Sequence, residues 1–255
     1  MRRSFWLVMT TGLLVATLAV PGFAITNGTD DHDEHPNVGG LAAHEAYSDG
    51  TYIYCSGTLI SPRVFLTAAH CGDDGDDDVR VTFNTEYAGG NDYYVGTFHS
   101  DPGYGPVYVM SDPHDIAVVV FEEDVEGIDP ATLPEAGSLS DLSRGTKITS
   151  VGYGAYEVSN GPGGKSFLYN DTRMKSVGSL LTINKAWLRI SMNPARGDGG
   201  TCYGDSGGPN FLGGEKVLAA ITITGDAVCR ATNVVYRLDT PSARAFLDQF
   251  VDLSE

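Results

Sequence analysis

Basic residues are scarce in this sequence. Its 255 residues include 16 Lys and Arg against 33 Asp and Glu, which gives a formal net charge of −17. A chain this acidic repels phosphate backbones and anionic lipid surfaces, so nucleic acid and membrane surfaces are not expected as partners. The charge favours solubility outside the cell, and adaptation to a saline habitat is the second interpretation.

Long hydrophobic segments are lacking too, except at the N-terminus. Two arginines precede an apolar run from Phe5 to Val20, and the small residues of Gly22-Phe23-Ala24 follow it. This pattern is typical of a secretory signal peptide. A membrane anchor is the alternative, but the run is short for a bilayer span and proline and glycine follow at once. We expect residues 1–24 to be removed, leaving a secreted chain, 25–255, without membrane attachment.

Cysteine is rare, and no C-x-x-C metal motif is present. The four cysteines are Cys55, Cys71, Cys202 and Cys229. An even count in an exported chain predicts two disulfides, for which the sequence alone permits three pairings. Two strands around the turn at Ser61-Pro62-Arg63 would bring Cys55 near Cys71, so that pair is the natural first disulfide.

Histidine is absent after residue 114, and this absence restricts the interpretation of a serine motif, Gly204-Asp205-Ser206-Gly207-Gly208-Pro209. A serine among glycines suits an exposed nucleophile, because a substrate carbonyl can approach the main-chain N–H groups closely. The motif also fits the G-x-S-x-G pattern of α/β-hydrolases, but these place the acid and the histidine after the serine. The chain order histidine, aspartate, serine remains.

The candidate base and acid each border an apolar strand. His70 ends a run of apolar residues among small alanines, which would hold it firmly and leave it accessible. A serine hydroxyl needs such a base, since it is a poor nucleophile by itself. Asp115 opens the strand Ile116–Val120 and should be buried on one side, where it needs a partner. Asp112 is the alternative acid, although an aspartate before proline is a common turn residue.

Two motifs together carry a resemblance to a known family. Thr67-Ala68-Ala69-His70-Cys71 and Gly204-Asp205-Ser206-Gly207-Gly208-Pro209 resemble the trypsin/chymotrypsin family of serine proteases. The resemblance implies an all-β fold of two six-stranded antiparallel β-barrels with the active site between them, and a C-terminal helix. The proline-containing segment 128–142 would divide the barrels within the domain 25–255. Residues 159–165 are interpreted as a flexible Gly/Pro loop.

The resemblance also assigns roles to individual residues. Ser206 would attack a peptide carbonyl, His70 would take its proton, and Asp115 would orient the histidine. The N–H groups of Gly204 and Ser206 would form the oxyanion hole. Of the cysteines, Cys202 would pair with Cys229. The implied partners are polypeptide substrates, and a monomer is the family default.

No metal or organic cofactor is required for this chemistry. The acidic segment 72–78 could bind calcium, but its spacing does not match an EF-hand loop, and we interpret it as solvated.

The substrate pocket is assigned by the same resemblance. Gly200 would form its floor, Gly225 one open wall, and Val234 a second wall that narrows the deep end. Because the floor lacks an acid, we expect cleavage after apolar residues of moderate size. Asp198 or Asp226 could supply charge and restore a preference for basic residues.

Activation is expected to involve Ile25 and Asp205. Family members bury a new N-terminal amine against the aspartate before the serine, and the predicted signal cleavage lies directly before Ile25. We therefore hypothesise that signal removal itself creates the activating terminus.

One departure from the family concerns Ile223-Thr224-Gly225, where a serine that supports the catalytic aspartate is missing; Thr222 is the candidate replacement. The alternative function is a non-catalytic serine-protease homologue acting as a binding module. Such proteins usually lose a triad residue or the oxyanion glycines, and all of these are present here. An esterase is chemically allowed but is the weaker interpretation.

Overall fold

The computed structural model describes residue 25 and residues 28–105, 111–161, 164–214 and 216–253, so the predicted signal peptide lies outside it. In chain order, the strands of the first half are β1 (Thr29–Asp30), β2 (Val38–Ala42), β3 (Ile53–Ser61), β4 (Val64–Thr67), β5 (Val79–Thr82), β6 (Tyr94–Ser100) and β7 (Ala117–Phe121). Those of the second half are β8 (Lys147–Gly152), β9 (Glu157–Gly161), β10 (Gly164–Leu168), β11 (Met174–Ile183), β12 (Trp187–Ser191), β13 (Pro209–Leu212), β14 (Leu218–Gly225) and β15 (Thr232–Arg237).

The first barrel closes through antiparallel pairs in the order β2-β3-β4-β7-β6-β5, with β5 returning to β2. Phe65 and Phe121 lie fully inside it. The ring of Phe65 fills the space that side chains at Gly39 and Gly57 would need, so both strands approach the ring closely. Glycine is required there for packing.

The second barrel consists of β8, β11, β12, β15, β14 and β13, and it closes because β8 pairs with both β11 and β13. The short strand β1 adds to the outside of β11. The core of the second barrel contains the buried aliphatic side chains of Leu180, Leu188, Ile190 and Val235. The predicted fold of two six-stranded antiparallel barrels is thus confirmed.

A single α-helix, α1 (Pro241–Leu247), is found in the described part of the chain. Thr240 caps it, since its hydroxyl accepts a hydrogen bond from the N–H of Ala243 at 3.3 Å. Phe246 and Leu247 bury its apolar face, which confirms the predicted C-terminal helix. No described helix is both long enough and apolar enough to cross a membrane.

The segments between the regular elements differ from the sequence interpretation in one place. Residues 159–165, expected as a flexible loop, belong largely to a hairpin in which β9 and β10 pair from Glu157↔Leu168 to Gly161↔Gly164. The residues on either side of this Gly/Pro segment form paired strands, as in a hairpin. The segment between the barrels, 122–146, carries a short 3-10 helix at Ser138–Asp141.

Arg173 joins the two barrels from a fully buried position. Its Nε donates to Asp31 at 3.0 Å, and its Nη1 donates to the carbonyls of Val38 (3.0 Å) and Phe83 (2.9 Å). Its Nη2 forms a short bond with Asp33. Arg173 directly precedes β11 of the second barrel. Its side chain therefore links the second barrel to both the N-terminal segment and the first barrel.

Candidate active site

Three candidate residues meet where the barrels face each other. His70 lies in a 3-10 helix, Ala69–Cys71, directly after β4, and Asp115 lies just before β7. Because β4 pairs with β7, with Thr67 opposite Ala117, the ends of these strands bring His70 and Asp115 together. Ser206 comes from the loop before β13, and His70 and Ser206 line the same two adjoining cavities.

His70 is held by Asp115 through two of its groups. The ring Nδ1 lies 2.9 Å from Oδ2 and 3.1 Å from Oδ1 of Asp115, and the main-chain N–H of His70 donates to Oδ1 at 3.1 Å. Asp115 is only 1% exposed. A carboxylate on Nδ1 favours the tautomer that leaves Nε2 free to accept a proton.

The alternative acid, Asp112, has other partners. It accepts hydrogen bonds from the hydroxyls of Tyr236 at 2.8 Å and Ser242 at 2.5 Å. It therefore anchors the chain before β7 to the region around α1. Thr222, the candidate support for Asp115, instead accepts a hydrogen bond from the Asn210 amide at 3.0 Å.

The loop around Ser206 depends on glycine at two positions. Gly204 has φ of 96° and Gly207 has φ of 77°, a region that side chains disfavour. A side chain at Gly207 would also overlap the hydroxyl of Thr67. Within the described residues, the N–H groups of Gly204 and Ser206 donate to no protein acceptor, so both can bind a developing oxyanion.

Asp205 lies fully buried beneath this loop. Its two oxygens accept hydrogen bonds from the N–H groups of Gly154 and Cys202, each at 2.8 Å. The carboxylate fills the space that side chains at Gly152 and Gly154 would need. Burial raises the pKa of Asp205 to about 7, although the two N–H groups act in the opposite direction.

Ile25, the predicted partner of Asp205, is also buried, but it packs with Met174 and Tyr156. No ion pair between Ile25 and Asp205 occurs in the described part of the chain. The nitrogen of Ile25 is part of a peptide bond in the full-length chain, so it carries no charge.

The first cavity, of about 440 Å³, lies between the loop of Ser206 and β14. Gly225 is among the residues that line it, whereas Gly200 and Val234 are not. Met192 covers the predicted floor: a side chain at Gly200 would overlap its Cγ, and its Cε lies close to Gly225. Sequence reasoning missed Met192, because a lone methionine at the end of a strand carries no motif.

Neither aspartate suggested for this cavity offers an unengaged carboxylate. Asp198 is buried away from the lining and contacts Ser179 (2.7 Å) and Lys147 (3.2 Å). Burial opposes its ionisation, but these hydrogen bonds and the lysine charge lower the pKa of Asp198.

Asp226 does line the cavity, but it accepts hydrogen bonds from the N–H groups of Ala231 (2.7 Å) and Thr232 (2.8 Å). Burial opposes ionisation here too, while these N–H groups lower the pKa of Asp226. The Asp226 carboxylate therefore stabilises the turn that follows β14.

The second cavity, of about 470 Å³, lies on the other side of Ser206, beside the disulfide of Cys55 and Cys71. Among the described residues no lysine or arginine lines it; the lining includes Asp49 and four tyrosines, Tyr47, Tyr54, Tyr169 and Tyr203. Sequence reasoning missed this cavity, because the four tyrosines lie in separate segments of the chain. Two cavities that meet at one serine can receive the two sides of a bond to be cleaved.

Both disulfides have the pairing expected from the sequence. Cys55 is bonded to Cys71 and Cys202 to Cys229. The first fixes the 3-10 helix of His70 to β3, and the second fixes the loop before Ser206 to the turn after β14. The disulfides therefore brace both ends of the candidate site.

Metal ligands are not assembled by the acidic segment. In residues 72–78, Asp74 accepts a hydrogen bond from the N–H of Ser100 at 3.0 Å, and Asp76 accepts one from Asp78 at 3.2 Å. The one group of metal-binding residue types among the described residues is Cys55, His70 and Cys71. Its two sulfurs are already bonded to each other, so it cannot serve as a thiolate site.

Two antiparallel six-stranded barrels with His70, Asp115 and Ser206 between them define a chymotrypsin-like protein. The sequence model of the family described as Trypsin matches residues 29–247. The chain therefore belongs to the trypsin family of serine proteases, and its expected membership is confirmed.

Individual relatives are distant. The chain is 27% identical to Trypsin of Phaedon cochleariae over 230 residues, covering 78% of this chain and 84% of the relative. It is 25% identical to Granzyme M of Homo sapiens over 187 residues, covering 69% and 70%. A solved structure of HL collagenase superposes with a TM-score of 0.69 at 21% identity, covering 88% of this chain and 97% of that one. This last likeness supports the fold alone.

Proposed function

We propose that this protein is a secreted serine endopeptidase that cleaves peptide bonds through His70, Asp115 and Ser206. The observation that carries the proposal is the hydrogen-bonded pair of His70 and Asp115 beside Ser206, with unpaired N–H groups at Gly204 and Ser206. This is the set of groups that acyl transfer requires.

In the proposed reaction, the Ser206 oxygen attacks the substrate carbonyl while His70 Nε2 accepts the hydroxyl proton. Asp115 stabilises the resulting imidazolium, and the N–H groups of Gly204 and Ser206 hold the oxyanion. His70 then returns the proton to the leaving amine as the C–N bond breaks. Water repeats the sequence on the acyl-enzyme, which releases the acid and regenerates Ser206.

The first cavity supports a preference for apolar residues of moderate size before the cleaved bond. Met192 packs against Gly200 and its Cε lies close to Gly225, a wall of this cavity, and the carboxylates of Asp198 and Asp226 are engaged elsewhere. The second cavity would take residues on the leaving-group side. In this assignment Gly225 remains a wall of the first cavity, while Gly200 and Val234 are not part of its lining.

Processing and location are also part of the proposal. Residues 1–24 would direct export of the chain, and their removal would free the amine of Ile25, a residue that is buried in the full-length chain. A charged amine that reached Asp205 would compensate its buried carboxylate. We propose that the mature protein, residues 25–255, acts outside the cell as a monomer on polypeptide substrates.

A fluorophosphonate probe tests this function directly. The secreted protein should be labelled at Ser206 on a chain that begins at Ile25, as read by intact and peptide mass spectrometry, and Ser206→Ala should remove the label. A chain that begins at Ile25, folds normally and neither takes the label nor cleaves peptides would favour a non-catalytic binding module. Hydrolysis of esters without peptide cleavage would favour an esterase.

A further inference from the structure

We infer that the hydroxyl of Ser56, in the first barrel, is a positioning group for the oxyanion hole in the second barrel. The inference rests on the proposed function and adds a residue that neither the motifs nor the triad contain. Ser56 lies on β3 directly after Cys55 and is fully buried, so it does not contact a substrate.

Every polar group of Ser56 is engaged, and two of its four hydrogen bonds lead to the nucleophile loop. Its Oγ donates to the carbonyl of Gly204 at 2.9 Å and accepts from the N–H of Tyr153 at 3.1 Å. Its main-chain N–H donates to the carbonyl of Ser206 at 2.8 Å. Its carbonyl accepts from the hydroxyl of Thr67 at 2.9 Å.

The Ser56 hydroxyl acts on Gly204, whose N–H must be oriented towards the oxyanion. The peptide before Gly204 is held because the carbonyl of Tyr203 accepts from the N–H of Ala155 at 2.8 Å. In a trans peptide the N–H points opposite to the C=O, so this bond turns the Gly204 N–H away from Ala155. The peptide after Gly204 is held on its carbonyl by Ser56.

Gly204 itself has no side chain to restrict its rotation, and its φ of 96° is one of several conformations open to glycine. Fixing the peptides on both sides of Gly204 removes that freedom. The Gly204 N–H then stays aligned for an oxyanion before any substrate arrives, which is the condition for stabilising a transition state without reorganisation.

The position of the hydroxyl allows a clean experiment. Ser56→Ala and Ser56→Gly both remove the hydroxyl and keep the two main-chain hydrogen bonds. Ser179→Ala is the matched control, because Ser179 is also buried and donates a 2.7 Å hydrogen bond, to Asp198. All three variants are measured as secreted, processed protein, and rates are expressed per active site titrated with fluorophosphonate.

Since one hydrogen bond of this kind contributes on the order of 1 kcal/mol, we expect kcat to fall about fivefold in both Ser56 variants. KM should stay within about twofold, because the ground state makes little use of the oxyanion hole. The affinity for a peptidyl trifluoromethyl ketone, which forms an oxyanion on Ser206, should fall by the same factor as kcat/KM. Ser179→Ala should lower the melting temperature and leave kcat unchanged.

Hydrogen exchange provides a readout that needs no catalysis. We expect peptides spanning 203–208 to exchange faster in both Ser56 variants than in wild type or Ser179→Ala. Loss of stability with unchanged kcat and unchanged exchange would overturn the inference. A wild-type protein without hydrolytic activity would refute the proposed function, and exchange at 203–208 would then decide the role of Ser56 by itself.

Discussion

Asp115 accepts hydrogen bonds from both the ring and the main chain of His70, at 2.9 and 3.1 Å. This double attachment fixes the histidine in position as well as in tautomer. Thr222 gives Asp115 no such support, since its hydroxyl accepts a hydrogen bond from the Asn210 amide.

Asp115→Asn should therefore reduce kcat by about 10⁴-fold, since an amide in this place favours the wrong histidine tautomer. The measurement is kcat on an ester and a peptide substrate, with folding checked by circular dichroism. Asp112→Asn is the control: it weakens the contacts to Tyr236 and Ser242, so stability should fall while kcat per titrated site remains unchanged. Equal losses in both variants would contradict the assignment of the acid.

Asp205 predicts a pH effect on the uncleaved chain. Its pKa is raised to about 7 in the folded state, above the unfolded value near 3.8, so the folded state binds the proton more tightly. The contribution of Asp205 to stability is then present below about pH 4 and is lost as the pH rises towards 7. Melting temperatures of uncleaved wild type and uncleaved Asp205→Asn should therefore diverge over this range, with wild type losing relative stability.

The processed chain should behave differently. A free amine at Ile25 that pairs with Asp205 would lower the pKa of the carboxyl, and the loss of stability between pH 4 and 7 should disappear. Acetylation of that amine should restore the loss. If the uncleaved and processed chains show the same pH dependence, the proposed activation by signal removal is wrong.

The sequence predicted the parts of the molecule whose signals lie within short stretches of the chain. The motifs around His70 and Ser206 indicated the family by their resemblance to it, and that resemblance implied the two barrels. The helix after Thr240 was readable from its cap and apolar spacing. The packing of Met192 against Gly200 could not be read from the sequence. Met192 follows β12 and acts on Gly200 only through its volume.

Ser56 and Arg173 were missed for a related physical reason. The hydrogen bond from Ser56 to Gly204 spans 148 positions in sequence, and the one from Arg173 to Asp31 spans 142. Their roles come from hydrogen bonds formed when the barrels meet, and no local pattern reports such bonds. The hairpin over residues 157–168 was missed because its glycines and single proline suit a turn and a flexible loop equally well.

Met192→Ala tests the assignment of the first cavity. Removing the thioether behind Gly200 and Gly225 should deepen the cavity and shift the preference towards larger apolar residues before the cleaved bond. A hydrophobic contact of this size changes discrimination by about 10-fold or more. The measurement is the ratio of kcat/KM for matched peptides with phenylalanine and valine at that position. An unchanged ratio would mean that another surface closes the cavity.

Arg173 predicts a large effect on stability far from the reacting groups. Arg173→Met would remove the cation beside the buried carboxylate of Asp31, which keeps only its hydrogen bonds with His35, and would remove a donor from two main-chain carbonyls. Breaking a buried ion pair in this way costs about 3–5 kcal/mol of unfolding free energy. Lys175→Met is the control from two residues further along the chain, since its partner Glu34 is exposed and such a pair contributes about 0–1 kcal/mol.

Denaturant unfolding measures both losses, and the double variant Asp31→Asn/Arg173→Met separates the pair from its surroundings. Because the two side chains share one interaction, their effects should not add: the double variant should be less destabilised than the sum of the single variants. Strict additivity would mean that Arg173 stabilises the protein through the carbonyls of Val38 and Phe83 rather than through Asp31. In either case the buried Arg173 cation connects the two barrels. The loss of stability should therefore appear in one cooperative unfolding transition of the whole protein.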